Sequence, residues 1–130
     1  MAVAKKKART RKKDLSQSIA EAAIFGILEK KGNDIHSLDL RKVDNAVTDY
    51  FIICHGDSNV QVSAIAKSVE EEVRKLAGEK PWHKEGYDNS EWVLLDYVNV
   101  VIHIFQKDIR EFYNLEDLWA DAKIKKIASE

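Results

Sequence analysis

The spacing of apolar residues predicts two amphipathic helices. In the first, apolar or small residues recur every three to four positions, at Leu15, Ile19, Ala22, Gly26 and Ile27. Asp14 and Gln17 have the spacing of a capping box, so this helix is expected to begin at Asp14 and to end by Gly32. A second helix is expected after the capping pair Ser58 and Gln61. Its apolar stripe consists of Val62, Ile65, Ala66, Val69, Val73 and Leu76.

Other segments have the shorter period that is typical of strands. Residues 34–41 form a weak candidate, whereas the continuous apolar run at 49–54 predicts a strand buried on both faces. A short strand is expected at 82–85. Residues 92–97 and 100–106 alternate strongly across a tight connection, which predicts an antiparallel hairpin.

The C-terminal part is predicted to be helical. Ile109, Phe112 and Tyr113 indicate one short helix, and Asn114 is placed to cap another. The second helix would carry Leu115, Leu118, Trp119 and Ala122, with Lys123, Lys125 and Lys126 in its last turn, where cations favour the helix dipole. The resulting order α-β-β-α-β-β-β-α predicts an α/β fold, with a mixed sheet of about five strands flanked by helices in one domain over 14–130.

Charge divides the chain into two parts. The whole chain of 130 residues has a formal net charge of −1. Residues 1–13 contain seven cations and no acid, so the remaining residues carry −8; the cations are Lys5, Lys6, Lys7, Arg9, Arg11, Lys12 and Lys13. This segment has too little apolar surface to offset the entropy of ordering and is predicted to be a disordered basic tail.

Composition excludes several protein classes. A lone cysteine, Cys54, cannot form an internal disulfide, which argues against a secreted disulfide scaffold. The most apolar stretch, 92–105, is too short for a membrane span and contains Asp96. The basic N-terminus is followed by an amphipathic pattern rather than by the apolar core of a signal peptide. The sequence therefore predicts a cytoplasmic protein.

The residues offer little support for catalysis. Cys54 and His55 are neighbours on a predicted strand and would point to opposite faces, so they cannot act as nucleophile and base. The histidines lack the spacing of a metal site, and no metal or other cofactor is predicted. The loop Gly56–Asn59 follows a strand and opens a helix, as in phosphate-binding loops. Two interpretations of this loop therefore remain. In one, Ser58 is no more than a helix cap; in the other, the loop and Asp96 serve a nucleotide-binding or residual nucleotidyltransferase function.

One face of the predicted hairpin is a candidate binding surface. Trp92, Leu94 and Asp96 alternate along one strand and so share a face, combining an aromatic, an aliphatic and an acidic side chain. Asp96 is equally well placed to cap the following turn. Trp119, at helical spacing from Leu115, is expected to lie in the core.

Several motifs together resemble the ribosomal silencing factor family, also called RsfS or Iojap. They run in order through the chain: Asp49-Tyr50-Phe51-Ile52-Ile53-Cys54, Gly56, Ser58-Asn59, Glu85-Gly86, Trp92-Val93-Leu94-Leu95-Asp96-Tyr97, His103-Ile104-Phe105, and Arg110 to Trp119. The resemblance implies a fold related to nucleotidyltransferases but without their catalytic carboxylates, and no enzymatic activity. One departure is the turn Val98-Asn99, where the family usually has Gly-Asp; since valine resists positive φ, a different turn type is expected.

The resemblance also implies a partner and a site. Family members bind the large ribosomal subunit through its protein number fourteen and block joining of the small subunit when nutrients are scarce. At matching positions the interface would use Trp92, Leu94, Asp96, Glu85 and Tyr113. An acidic body suits a basic ribosomal protein, and the basic tail suits ribosomal RNA, unless it is only a solubilising extension. An apolar face of this kind also suits a homodimer when the ribosome is absent.

Overall fold

Six strands form one mixed sheet with helices on both faces. The computed structural model describes the backbone of residues 2–128 and the side chains of residues 15–128. The elements are α1 (Ala2–Glu29), β1 (Asn33–Asp39), β2 (Tyr50–Gly56), α2 (Asn59–Ala77), β3 (His83–Glu85), β4 (Trp92–Asp96), β5 (Val100–Gln106), α3 (Lys107–Tyr113), α4 (Leu115–Leu118) and β6 (Lys123–Ile127). The strand order is β3-β4-β5-β2-β1-β6. Only the central pair β2–β5 is parallel among these strands, so the predicted mixed sheet and the antiparallel β4–β5 hairpin are confirmed.

The last strand corrects the sequence prediction. Residues Lys123–Ile127, expected to end a helix, form β6 and pair antiparallel with β1, so that Lys123 lies opposite Asp39 and Ile127 opposite Ile35. The main-chain hydrogen bonds to β1 outweigh a local sequence, Lys-Ile-Lys-Lys-Ile, that also suits the last turn of a helix. The sheet therefore has six strands rather than about five.

The first helix also differs from the prediction at its start. The backbone of α1 is helical from Ala2, so the capping box expected at Asp14 is wrong. Alanine, lysine and arginine, which dominate the preceding residues, are good helix formers, and no proline or glycine interrupts them. The side chains of residues 1–14 lie outside the described part, and the basic tail and its contacts stay predictions.

Helices α1 and α2 cover one face of the sheet. The main core lies between them and the strands, with Ile27, Ile65 and Ile102 fully buried. Gly26 permits a close crossing, because a Cβ there would lie 2.9 Å from the Ser68 carbonyl oxygen, and Ser68 Oγ donates to the Gly26 carbonyl at 2.8 Å. The predicted stripe of α2 is confirmed apart from Leu76, which is exposed.

The opposite face is covered by smaller elements, α3, α4 and the β1–β2 loop. They enclose a second core cluster of Leu38, Leu40, Ile53, Phe105 and Ala122. Trp119 packs edge-on against Phe51, with ring centroids 5.7 Å apart, as expected for a core residue. Because α3 and α4 are short, the part of this face along β4 remains partly open.

The β4–β5 connection contains a strained residue. Val98 has a φ of 72°, and the Asn99 N–H donates to the Tyr97 carbonyl at 2.9 Å, which together are characteristic of a classic γ-turn. Thr48 Oγ1 holds the turn by donating to the Val98 carbonyl at 2.9 Å. The turn type thus differs from a glycine-based hairpin, as expected, but the reason for that expectation was wrong, because Val98 does adopt a positive φ.

Replacing Val98 by glycine is expected to raise the free energy of unfolding by about 1 kcal/mol. A β-branched residue at positive φ costs up to ~3 kcal/mol, and the greater backbone entropy of glycine in the unfolded chain offsets about 1 kcal/mol of the gain. Urea unfolding of the Val98→Gly and Val98→Ala variants measures this. An alanine variant more stable than the glycine variant would show that the backbone at this position is not strained.

Candidate functional site

The candidate binding face lies on β4 and the strands beside it. Trp92, Leu94 and Asp96 are half-buried, whereas Val93 and Leu95, on the alternate positions, are buried under the helices. Strand pairing places Trp92 opposite Phe105 and Leu94 opposite His103 in β5. The predicted shared face is therefore present, and it lies over an aromatic layer.

Trp92 is held by aromatic contacts on several sides. Its ring centroid lies 4.8 Å from that of Phe105 and 4.9 Å from that of Tyr113, which α3 brings over the sheet. Gly86 lets the neighbouring turn approach β4, because a Cβ there would lie 1.9 Å from the Trp92 carbonyl oxygen. The indole is thus fixed in one orientation before any partner arrives, which lowers the entropic cost of binding.

His103 anchors the indole from beneath. Trp92 Nε1–H donates to His103 Nδ1 at 3.2 Å, so the neutral ring carries its proton on Nε2. Nε2 is buried with no hydrogen-bond partner among the described residues, and Phe51 packs edge-on against the ring at 4.7 Å. Burial lowers the pKa of His103 to about 4. Because the indole N–H is used internally, Trp92 offers a partner mainly its apolar ring surface.

Two carboxylates lie beside this aromatic centre. Glu85 in β3 is opposite Leu94, and its Oε2 lies 3.2 Å from His83 Nε2 on the exposed edge of the sheet. Asp96 Oδ1 accepts a hydrogen bond from the Val98 N–H at 2.7 Å, so this side chain does cap the turn. It also remains half-exposed on the candidate face. Asp96 can therefore cap the turn and still be available to a binding partner.

The rim of the face is exposed and aromatic. Tyr113, whose ring is tilted against that of Trp92, is 51% exposed, and the adjacent Phe112 is 79% exposed. Their rings meet edge to face at 5.1 Å. All five residues predicted for the interface, Trp92, Leu94, Asp96, Glu85 and Tyr113, lie on this side of the sheet, and their role in binding is taken up below. The sequence analysis missed His103 and Phe112, although the pairing register of β4 and β5 would have placed His103 beside Trp92.

A buried ionic network attaches α3 and α4 to the sheet. Arg110, only 7% exposed, donates from Nη2 to Glu116 Oε2 at 2.6 Å, and its Nη1 lies 2.9 Å from His55 Nδ1. The same Glu116 oxygen lies 2.9 Å from His36 Nδ1. Burial acts to raise the pKa of Glu116, but the hydrogen bonds from Arg110, a backbone hydrogen bond and the charges of Arg110 and His36 together outweigh it, so the pKa is lowered. Burial and the Arg110 charge lower the pKa values of His36 and His55. A polar cavity of about 450 Å³ adjoins this network.

The geometry does not assemble the alternative nucleotide site. Gly56 is opposite Gln106 at one end of β5, whereas Asp96 is opposite Val101 at the other, about 16 Å away along the strand. Ser58 caps α2 by accepting from the Gln61 N–H at 3.1 Å. In the part of the chain that the structure describes, no three His, Cys, Asp or Glu side chains cluster as metal ligands. Burial raises the pKa of the Cys54 thiol to about 12, which makes it a poor nucleophile.

Acidification is expected to destabilise the fold through His103. Its pKa is lowered from 6.5 in the folded state, so the neutral ring contributes stability that is complete above pH 6.5 and lost as the pH falls towards about 4. The loss attributable to His103 is ~3 kcal/mol, and His36 and His55 act in the same direction. Urea unfolding between pH 7 and pH 4 measures it. A His103→Gln variant, whose amide can still accept from Trp92, should show a shallower pH dependence; an equal slope in both proteins would contradict this assignment.

Comparison with known proteins identifies relatives of this chain. Residues 12–130 match the family model described as "Ribosomal silencing factor during starvation". The chain belongs to the ribosomal silencing factor family. It is 42% identical over 108 residues to ribosomal silencing factor RsfS of Bacillus subtilis, covering 83% of this chain and 90% of the relative. The chloroplastic protein Iojap of Zea mays is 36% identical over 81% of this chain but 43% of its own length.

Solved structures of bacterial proteins share the architecture of this silencing factor family member. A crystal structure of a Chromobacterium violaceum protein superposes with a TM-score of 0.75 at 35% sequence identity, covering 87% of this chain and 92% of that one. A Bacillus halodurans protein gives a TM-score of 0.70 at 34% identity, over 86% and 98% of the two chains. None of the described helices combines the length and apolar character needed to cross a membrane.

Proposed function

We propose that this silencing factor binds the large ribosomal subunit through ribosomal protein number fourteen and sterically blocks joining of the small subunit. The observation that carries the proposal is the preorganised face of Trp92, Leu94 and Tyr113, aromatic at its centre and partly open to solvent. Aromatic anchors at the centre of a well-packed patch are the usual composition of a binding hot spot. The protein would act in the cytoplasm, without catalysis or a cofactor, and repress translation under nutrient limitation.

Charge supports the choice of a basic partner. Glu85 and Asp96 flank the aromatic centre, and the chain outside residues 1–13 carries −8. Such a surface attracts a basic ribosomal protein and is repelled by bare RNA phosphates. The same face would suit a second copy of the chain when the protein is free, which sedimentation of the free protein at several concentrations would detect.

Reassociation of purified subunits tests the proposed function. Added at saturation to a mixture of large and small subunits, the protein should decrease the joined-ribosome peak in a sucrose gradient and migrate with the large subunits. A small-subunit excess sufficient to displace it would support competition for one surface. Normal joining in the presence of bound protein would reject the blockade, and migration with the small subunit would reject the partner.

A further inference from the structure

We propose that the edge strand β6 is an RNA-binding surface, on the side of the sheet away from β4. Lys123, Lys125 and Lys126 would contact phosphates of ribosomal RNA while the β4 face holds its protein partner. The proposal rests on the proposed function, because it assumes that the chain sits on the large subunit. All three lysines are exposed.

The strand geometry distributes positive charge around the edge. Lys123 and Lys125 project from the same face of β6, about 7 Å apart, and Lys126 projects from the other. Since β6 is the last strand in the sheet order, one of its edges is free, and the side chains of residues 123–126 are exposed. An elongated polyanion lying along this edge would contact Lys123 and Lys125 on one face of the strand and Lys126 on the other.

Acidic side chains in the described part of the chain lie near these lysines on both faces of β6 without pairing with them. Among the described residues, no carboxylate lies within ion-pair distance of these three lysines. Asp39, opposite Lys123, is already held by Arg41 with Nη2 and Oδ2 2.6 Å apart. Glu21 of α1 lines the same groove as Lys123 and Lys125. On the other face, Lys126 shares a cavity with Asp34, Glu111 and Glu116, and Glu116 is already held by Arg110.

The basic N-terminal segment enters the fold on this side. A groove of about 550 Å³ between α1 and β6 is lined by Gln17 and Glu21 from the helix and by Lys123 and Lys125 from the strand. The seven cations of residues 1–13 precede Gln17 closely in the chain. Along the chain, residues 1–13 therefore lead into the helix that borders this groove.

Phosphate is the partner chemistry that fits these side chains. Lysine binds phosphate oxygens as a compact, mobile point charge and needs no shaped pocket. An acidic peptide added as a seventh strand is disfavoured, because lysines on an edge strand oppose strand addition. Three cations within five residues of β6 also form a local basic patch on a body whose net charge is −8.

Fluorescence anisotropy with a labelled RNA duplex of about 16 base pairs tests the proposal on the full chain. A variant with Lys123→Gln, Lys125→Gln and Lys126→Gln is compared with a control, Lys30→Gln, Lys67→Gln and Lys80→Gln, which changes the net charge equally at exposed positions elsewhere. The edge variant should bind about tenfold more weakly at low salt. Its plot of log affinity against log salt concentration should be flatter by about two. The control should lose less than half as much affinity.

Two outcomes would overturn the proposal. Equal losses of RNA affinity in the edge and control variants would show that only total charge matters. Unchanged RNA affinity in the edge variant would mean that the lysines serve only to protect the sheet edge from pairing with another strand. The Trp92→Ala variant separates this proposal from the proposed function, since it should keep RNA affinity while losing large-subunit binding. Failure of the edge variant to lose RNA affinity leaves the β4 face unaffected.

Discussion

Replacing Trp92 by alanine is expected to weaken binding to purified large subunits by about 30-fold, corresponding to ~2 kcal/mol or more. The indole is the central anchor of the proposed face, and its loss also removes the support under Tyr113, whose ring lies 4.9 Å away. Co-sedimentation across a range of protein concentrations measures the change. Thermal unfolding of the variant confirms that it is folded in the assay.

Conservative and distant substitutions sharpen this test. Trp92→Phe keeps an aromatic ring but lacks the N–H, which in the native protein is bonded to His103 rather than presented to a partner. It should therefore retain most of the affinity. Phe25→Ala alters an exposed aromatic residue of α1, on the other layer, and should leave binding unchanged. Native affinity in Trp92→Ala would eliminate this residue as the anchor.

Replacing Arg110 by alanine should lower the free energy of unfolding by ~3 kcal/mol. The substitution leaves Glu116 without its main hydrogen-bond donor, close to His36 in a largely buried site, and an unpaired buried charge is costly. It also removes the bond between α3 and His55 at the end of β2. Urea unfolding at pH 7 measures the loss.

A double-mutant cycle assigns that loss to the ionic network. With Glu116→Gln in the background, Arg110→Ala should cost clearly less than in the native chain, because no charge is then left unpaired. Lys107→Ala, at an exposed position beside the same cavity, is the matched control and should change stability by less than ~0.5 kcal/mol. Strict additivity of Arg110→Ala and Glu116→Gln would mean that the two side chains do not act together.

The sequence predicted those elements in which local pattern and burial agree. Helix α2 has both caps and a continuous apolar stripe, and the β4–β5 hairpin alternates regularly, so both were found. Strand β6 was missed because an edge strand needs little apolar surface, and its three lysines equally suit a helix end. It pairs with β1, about ninety residues earlier in the chain, and a local sequence pattern cannot predict such a distant pairing.

The site was predictable to a similar extent. Alternation along β4 put Trp92, Leu94 and Asp96 on one face, and the structure keeps them there. The contact of Arg110 with His55, 55 residues apart in sequence, arises only when α3 folds back over β2. Likewise, the bond from Trp92 to His103 depends on strand register rather than on either residue type.

The parallel pairing of β2 with β5 has a consequence for synthesis of the chain. These central strands are separated in sequence by α2, β3 and β4, so the two halves of the sheet cannot join until Val100–Gln106 has been made. Trp92 then still lacks Tyr113, which follows at the end of α3. A nascent chain therefore completes the proposed binding face only after Tyr113 has been made, near the end of translation.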